Sequence, residues 1–314
     1  MTTLYLSHPD CLEHVNAPGH PESPERLVSI DNELQREPFQ YLLRQDAPMR
    51  DDFEEAILRA HAPGYFAAIR DGRPKAAGET VRLDPDTGMS AGSWDASKRA
   101  IGAALSAVDQ VMAGEVNNAF CAIRPCGHHA ETDKAMGFCF FNNIAIAAKY
   151  ARARHGVERV AVVDFDVHHG NGTQDIFWDD KDLFFASTHQ MPFYPGTGAL
   201  NETGVGNIFN APLRAGDDGA AFREAVRSRI LPALRNFGPD LLLISAGFDA
   251  HEADPLANLR LKADDFAWAT GKLAEIADKQ AGGRIVSLLE GGYDLNALAK
   301  SVGAHVKMLI EAGG

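Results

Sequence analysis

Three short apolar runs constrain this chain more than any other feature. They are Val160-Ala161-Val162-Val163, Leu241-Leu242-Leu243-Ile244 and Ile285-Val286-Ser287-Leu288-Leu289. None alternates with charged residues, and all are rich in branched side chains. Such runs fit strands buried on both faces, as in a parallel sheet covered by helices. Phe120-Cys121-Ala122-Ile123 and Leu183-Phe184-Phe185-Ala186 are two further candidates. Between them lie helical patterns over Ser90 to Met112, Asn142 to Ala153, Asp218 to Asn236, Phe266 to Ala277 and Leu298 to Glu311. Strands alternating with helices predict an α/β fold with a mostly parallel sheet. No low-complexity linker, repeat or charge block interrupts the chain, so residues 1–314 are expected to form one domain. In such sheets ligands bind at the carboxyl ends of the strands.

Charge narrows the partners. With 30 Lys and Arg against 43 Asp and Glu, the formal charge is −13. That is unfavourable for tracking nucleic-acid phosphates and suits a cationic substrate. No apolar run approaches the length of a membrane span. The four cysteines show no CxxC spacing, and no secretory pattern precedes them. The expectation is a cytoplasmic protein with free thiols and no membrane partner.

The residues after each run carry the chemistry. Val163 is followed by Asp164, Asp166 and His168, which strand alternation would place on one side. Two carboxylates and an imidazole beside apolar residues are costly unless a cation neutralises them. Oxygen and nitrogen donors at this spacing suit zinc. Asp249 follows Ile244 and completes a three-donor set with Asp166 and His168, leaving a fourth zinc position open as hydrolysis requires. His251 is either a competing ligand or, as favoured here, a supporting or rim residue. After Phe120–Ile123 comes Arg124-Pro125-Cys126-Gly127-His128-His129, whose adjacent imidazoles form an acid/base pair at neutral pH. After Leu289 comes Glu290-Gly291-Gly292-Tyr293, where a phenol is placed to donate a hydrogen bond to a developing oxyanion.

These segments resemble the zinc-dependent histone deacetylases and their bacterial amidohydrolase relatives. The likeness runs through Gly19–Leu27, Arg124–Ala130, Gly137–Asn143, Asp164–Gly172, Pro195–Gly198, Gly247–His251 and Glu290–Tyr293. It implies a single-domain arginase-like, three-layer α/β/α sandwich. It implies one zinc ion (Zn2+) per chain held by Asp166, His168 and Asp249. His128 then resembles the general base, His129 the acid and Tyr293 the carbonyl-polarising group. Phe138 and Tyr194 resemble the aromatic walls of a substrate tunnel, with the Gly137 carbonyl at its base. Asp164 resembles both the partner that orients His128 and, with Ser187 and main-chain oxygens of Asp166, His168 and Thr188, a potassium (K+) site. A second monovalent site is expected near Phe177, Asp180 and Leu183. Asn171, where many members carry Asp, resembles the class II branch. Cys126 stands where many carry a second proline.

The implied activity is removal of acetyl or related acyl groups from an acyl-lysine protein or peptide, or from an acylpolyamine, by metal-assisted hydrolysis. A binuclear manganese hydrolase of the arginase type and a non-catalytic acyl-lysine-binding protein are the competing readings. The rim that sets specificity is expected in loops such as Asp71–Met89, with Asp84 or Asp86 at the mouth. The sequence does not speak to oligomeric state.

Overall fold

The computed structural model describes residues 2–76 and 78–314. Ala77, in the expected rim loop, lies outside the described residues. Ten strands are present among the described residues: β1 Thr3–Ser7, β2 Leu43–Asp46, β3 Thr80–Arg82, β4 Gly88–Ser90, β5 Asn118–Cys121, β6 Val160–Asp164, β7 Leu183–Gln190, β8 Ile208–Leu213, β9 Leu241–Ala246 and β10 Ile285–Leu289. Strands β3 and β4 form a small antiparallel hairpin, and the other eight make one sheet in the order β2-β1-β5-β10-β9-β6-β7-β8. Every pairing in that sheet is parallel.

The apolar runs behave as doubly buried strands should. Val160 and Val162 enter one core while Ala161 and Val163 enter the other; Leu241 and Leu243 are likewise separated from Leu242 and Ile244. Helices Ser93–Ala113 and Asn143–His155 cover the first face. Helices Glu25–Leu34, Ala263–Gln280 and Leu295–Gly313 cover the second. This is the three-layer α/β/α sandwich. Among the described residues, no helix is long and apolar enough to cross a membrane.

Some local expectations shift. Asn142 and Asp218 cap their helices as their positions suggest, accepting the N–H groups of Ala145 and Ala220. The helix expected from Ser90 begins at Ser93, and Ser90 instead ends the hairpin. The segment expected as one helix over Asp218–Asn236 is broken into Gly219–Ala225, a π-helical turn Val226–Ile230 and Leu231–Phe237, with Pro232 unable to continue an unbroken ladder. Strand β8 escapes sequence reading because Asn210 and Pro212 interrupt its apolar pattern; it tolerates proline as a sheet edge.

The order β5-β10-β9-β6 places four strand ends side by side, with Leu288 opposite Cys121, Leu289 opposite Ala246, and Asp164 opposite Ser245. The loops that follow these strands must therefore share one space. A buried ionic knot ties them to the N-terminal segment. Glu22, Arg26 and Arg124 are all fully buried. Both arginines donate to the Glu22 carboxylate, and His14 and Asn16 complete its shell. Arg124 also holds the carbonyls of Cys11 and His14, while Arg26 holds those of Glu290 and Gly292. Replacing Glu22 by Ala leaves two buried guanidinium groups unpaired, which should cost about 3–5 kcal/mol of stability. Urea unfolding of Glu22→Ala checks this; a loss under about 1 kcal/mol, typical of an exposed pair, would contradict it.

Candidate active site

Strand β6 ends at Asp164, so the convergence of Asp164, Asp166 and His168 is not produced by a continuing strand. Two consecutive side-chain turns produce it. The Asp166 N–H donates to Asp164 Oδ1 at 3.0 Å and the His168 N–H to Asp166 Oδ1 at 2.9 Å. Phe165 and Val167 still point into the second core, which keeps the polar residues on the other side.

Asp249, at the end of β9, joins them. His168 Nδ1 lies 3.1 Å from Asp166 Oδ1 and 3.1 Å from Asp249 Oδ2. The three donor atoms fall within 4.8 Å of one another. Donors around a tetrahedral zinc ion stand roughly 3.3 Å apart, so the set fits that metal. The outer oxygens are fixed by main-chain N–H groups, Gly291 to Asp166 Oδ2 and Val167 to Asp249 Oδ1, each at 2.8 Å. Burial and the Asp166 charge push Asp249 up to about 7. Burial alone would lower His168, but its bonds to Asp166 and Asp249 raise it to about 10.

Glycines make the room. A Cβ at Gly247 would stand 2.0 Å from Asp166 Oδ2, and one at Gly291 2.2 Å from Asp249 Oδ2. One at Gly170 would stand 2.4 Å from Asp164 Oδ2. Only a residue without a side chain lets the backbone pass this close.

The histidine pair sits over this cluster with its rings 4.0 Å apart. His128 Nδ1 is 2.9 Å from Asp164 Oδ2, and its Nε2 is 3.9 Å from Asp166 Oδ2. His129 Nδ1 is 2.7 Å from Asn171 Oδ1. Glu290 accepts the N–H groups of Gly127 and His128, which fixes the loop. Burial would lower His128, but Asp164 and Asp166 raise it well above the ordinary imidazole range. Burial, reinforced by His128 and His168, holds His129 well below it. The pair is electrostatically split, and the carboxylates that raise His128 include one a cation would neutralise.

Tyr293 is held by its surroundings. Arg26 lies 5.0 Å from its ring centre, Phe138 packs edge-on at 6.1 Å, and Asp254 accepts its main-chain N–H at 2.7 Å. Burial and the Asp249 charge push its phenol well above the usual range, so it remains a donor. Phe138 follows Gly137 in a left-handed conformation, φ 68°, and is the one non-glycine residue with positive φ among those described. Such strain costs about 1–2 kcal/mol and marks a constrained position. The N–H of Phe138 is anchored on Thr87 Oγ1 at 3.0 Å. Across the mouth, Tyr194 packs against His129 at 5.2 Å.

A histone deacetylase domain matches residues 20–309. The chain belongs to the histone deacetylase family. It is 42% identical over 302 residues to an uncharacterized protein of Synechocystis, covering 95% of this chain and 96% of that one. It is 41% identical over 286 residues to the histone deacetylase-like amidohydrolase of Pseudomonas aeruginosa, covering 88% and 73%. Among solved structures, the HDA15 HD domain superposes with TM-score 0.92 at 33% identity, covering 99% of this chain and 88% of that one. The family is one of deacetylases and amidohydrolases, enzymes that hydrolyse amides.

Further family-implied positions are also defined by their hydrogen bonds. Ser187 lies beside Asp164 in the sheet, with its hydroxyl bonded to His189 Nδ1; Thr188 is buried next to it. The carbonyls of Phe177, Asp180 and Leu183 do converge, but on the side-chain nitrogen of Asn207, at 2.9, 3.0 and 2.7 Å. An amide donor stands where a second monovalent ion was expected. His251 is outside the donor cluster: its Nδ1 accepts the Ala253 N–H, so it fixes its own turn. The Gly137 carbonyl accepts from the Cys139 thiol. Asp84 Oδ1 accepts the N–H groups of Asp86 and Thr87, and Asp86 accepts from the Thr87 hydroxyl, which itself accepts the Phe138 N–H.

Sequence reading missed Phe193, which stacks on His168 at 5.3 Å, and His20, which packs on Phe138 at 4.7 Å. It also missed Arg26 and the glycine cradle. Buried charge inside a Pro-Glu-Ser-Pro-Glu-Arg motif was the available signal for Arg26. Gly291→Ala should weaken metal binding roughly 10–100-fold while leaving unfolding cooperative. Competition with a graded chelator measures it; wild-type affinity would refute the cradle.

Proposed function

We propose that this protein is a zinc-dependent deacylase acting on a narrow acylated amine, an acyl-lysine or an acylpolyamine. The observation that carries the proposal is the aim of the histidine pair. His128 and His129 lie beside the Asp166, His168 and Asp249 cluster, and the loop after β10 brings Tyr293 near enough for the Asp249 charge to act on its phenol.

One zinc ion held by Asp166, His168 and Asp249 would supply Lewis acidity toward the amide carbonyl and the attacking water. His128, oriented by Asp164, takes the proton from that water. The Tyr293 hydroxyl donates to the carbonyl oxygen as negative charge develops on it. His129, oriented by Asn171 and neutral until a proton reaches it, relays the proton that His128 has taken on to the departing nitrogen, since an amine leaves poorly as an anion. Phe138 and Tyr194 admit an unbranched arm. Asp84 and Asp86 at the mouth, with the overall charge of −13, favour an amine-bearing substrate. Asp164, Ser187 and the main-chain oxygens of Asp166, His168 and Thr188 are proposed to hold potassium. Cytoplasmic residence and a single domain over 1–314 belong to the same proposal.

The test is a panel of acetyl-lysine peptides, acetylspermidine, acetylputrescine and longer acyl-lysines. Turnover of at least one class is expected, lost on chelation and restored by zinc. Restoration only by manganese at two ions per chain would favour the arginase-type reading; binding of acyl-lysine without hydrolysis would favour the non-catalytic one. Tyr293→Phe should lower kcat by about two orders of magnitude with metal content unchanged. An unaltered kcat would remove Tyr293 from the mechanism.

A further inference from the structure

Cys126 and Cys139 stand on two loops that meet beneath the catalytic groups. Cys126 lies two residues before His128, and Cys139 directly follows Phe138. Their sulfurs are 3.3 Å apart and buried. Both face one acceptor, the Gly137 carbonyl, at 3.9 and 3.3 Å. Ala130 and the Phe138 ring close the pocket around them. The remaining thiols, Cys11 and Cys121, are buried in separate cores.

A disulfide bond is about 2.05 Å long, so closure requires an approach of roughly 1.3 Å between these sulfurs. Neither cysteine is in a strand of the main sheet, and loop backbone absorbs such a shift more readily than a ladder does. Glu290 is near both sulfurs, which raises the alternative of a soft-metal site. Its oxygens, however, are taken by the N–H groups of Gly127 and His128 and by the Ser245 hydroxyl. The arrangement is therefore a dithiol, not a three-donor cage.

We propose that Cys126 and Cys139 are a reversible redox pair, joined by peroxide into a disulfide that straps the His128–His129 loop to the Gly137–Phe138 loop and slows the enzyme. The crosslink does not rest on the amide-hydrolase reading; only its effect on turnover does.

The chemistry balances with hydrogen peroxide as oxidant. The Cys126 sulfur attacks one peroxide oxygen, the O–O bond breaks, and a sulfenic acid and one water form. The Cys139 sulfur attacks the sulfenic sulfur, the S–O bond breaks, and a second water leaves with the disulfide formed. Each sulfur gives up one electron, the peroxide takes both, and the two thiol protons leave in the waters. Cys126 acts first because it retains a trace of exposure, 3% against 0% for Cys139. Burial also holds the Cys139 thiol well above its ordinary range, which makes it the poorer first nucleophile. Oxidation removes both S–H donors from the Gly137 carbonyl. It also pulls on a glycine packed so closely against the His129 ring that a Cβ there would lie 2.3 Å from it.

The metal-loaded full chain is treated with hydrogen peroxide and its thiols are counted after denaturation. The count should fall from the four free cysteines to two, with peptide mapping placing the link at Cys126–Cys139. Turnover should drop roughly ten- to a hundred-fold and return with dithiothreitol. Cys126→Ala should keep basal activity, retain its three thiols and resist the same treatment. Four surviving thiols, sulfinic acid without a link, or equal inactivation of Cys126→Ala each overturn the proposal. A mapped link with unchanged turnover overturns the switch. A mapped link in a protein that hydrolyses no amide refutes the functional reading and leaves the dithiol standing.

Discussion

Asp164, Asp166 and Asp249 are buried within hydrogen-bonding reach of one another's neighbours at the end of a parallel sheet. Bare carboxylates in that position repel and have lost their water. The rest of the site is arranged around cancelling this charge. Main-chain N–H groups take the outer oxygens, imidazoles take the inner ones, and Asp249 is pushed to about 7 where these prove insufficient. A divalent cation resolves the same conflict directly. The cost of the cluster and the capacity to hold a metal are one property seen twice.

Charge cancellation of a different kind holds the loops in place. Glu22 draws Arg26 and Arg124 together, and those arginines grasp carbonyls from segments more than a hundred residues away. Arg26 thereby connects the N-terminal segment to the turn that presents Tyr293. The site is built from loops that follow four adjacent strands, and this buried ion network adds to the apolar packing of Phe165, Val167 and Phe248 in holding them.

The sheet centre was legible because its strands are doubly buried: Val160–Val163 and Leu241–Ile244 cannot be much else. Edge strands were not, since β2 is exposed throughout and Asn210 and Pro212 disguise β8. The ligand candidates were legible from their place after those runs. The means of their convergence was not: turns closed by Asp164 and Asp166 replace strand alternation, and this depends on side-chain bonds that no periodicity encodes. The left-handed Phe138, Phe193 stacked on His168, and Asn207 filling a cradle of carbonyls are likewise consequences of contacts between segments distant in sequence. Gly291 suggested a close backbone approach from its place before Tyr293, whereas Gly170 and Gly247 read as ordinary turn residues until the carboxylates beside them are in view.

The most direct measurement is anomalous diffraction from crystals of the purified protein on both sides of the zinc absorption edge. The account requires a single strong peak bonded by Asp166, His168 and Asp249 at about 2.0–2.1 Å. Density for zinc elsewhere with none between these three side chains, or a pair of adjacent metal peaks, would contradict it.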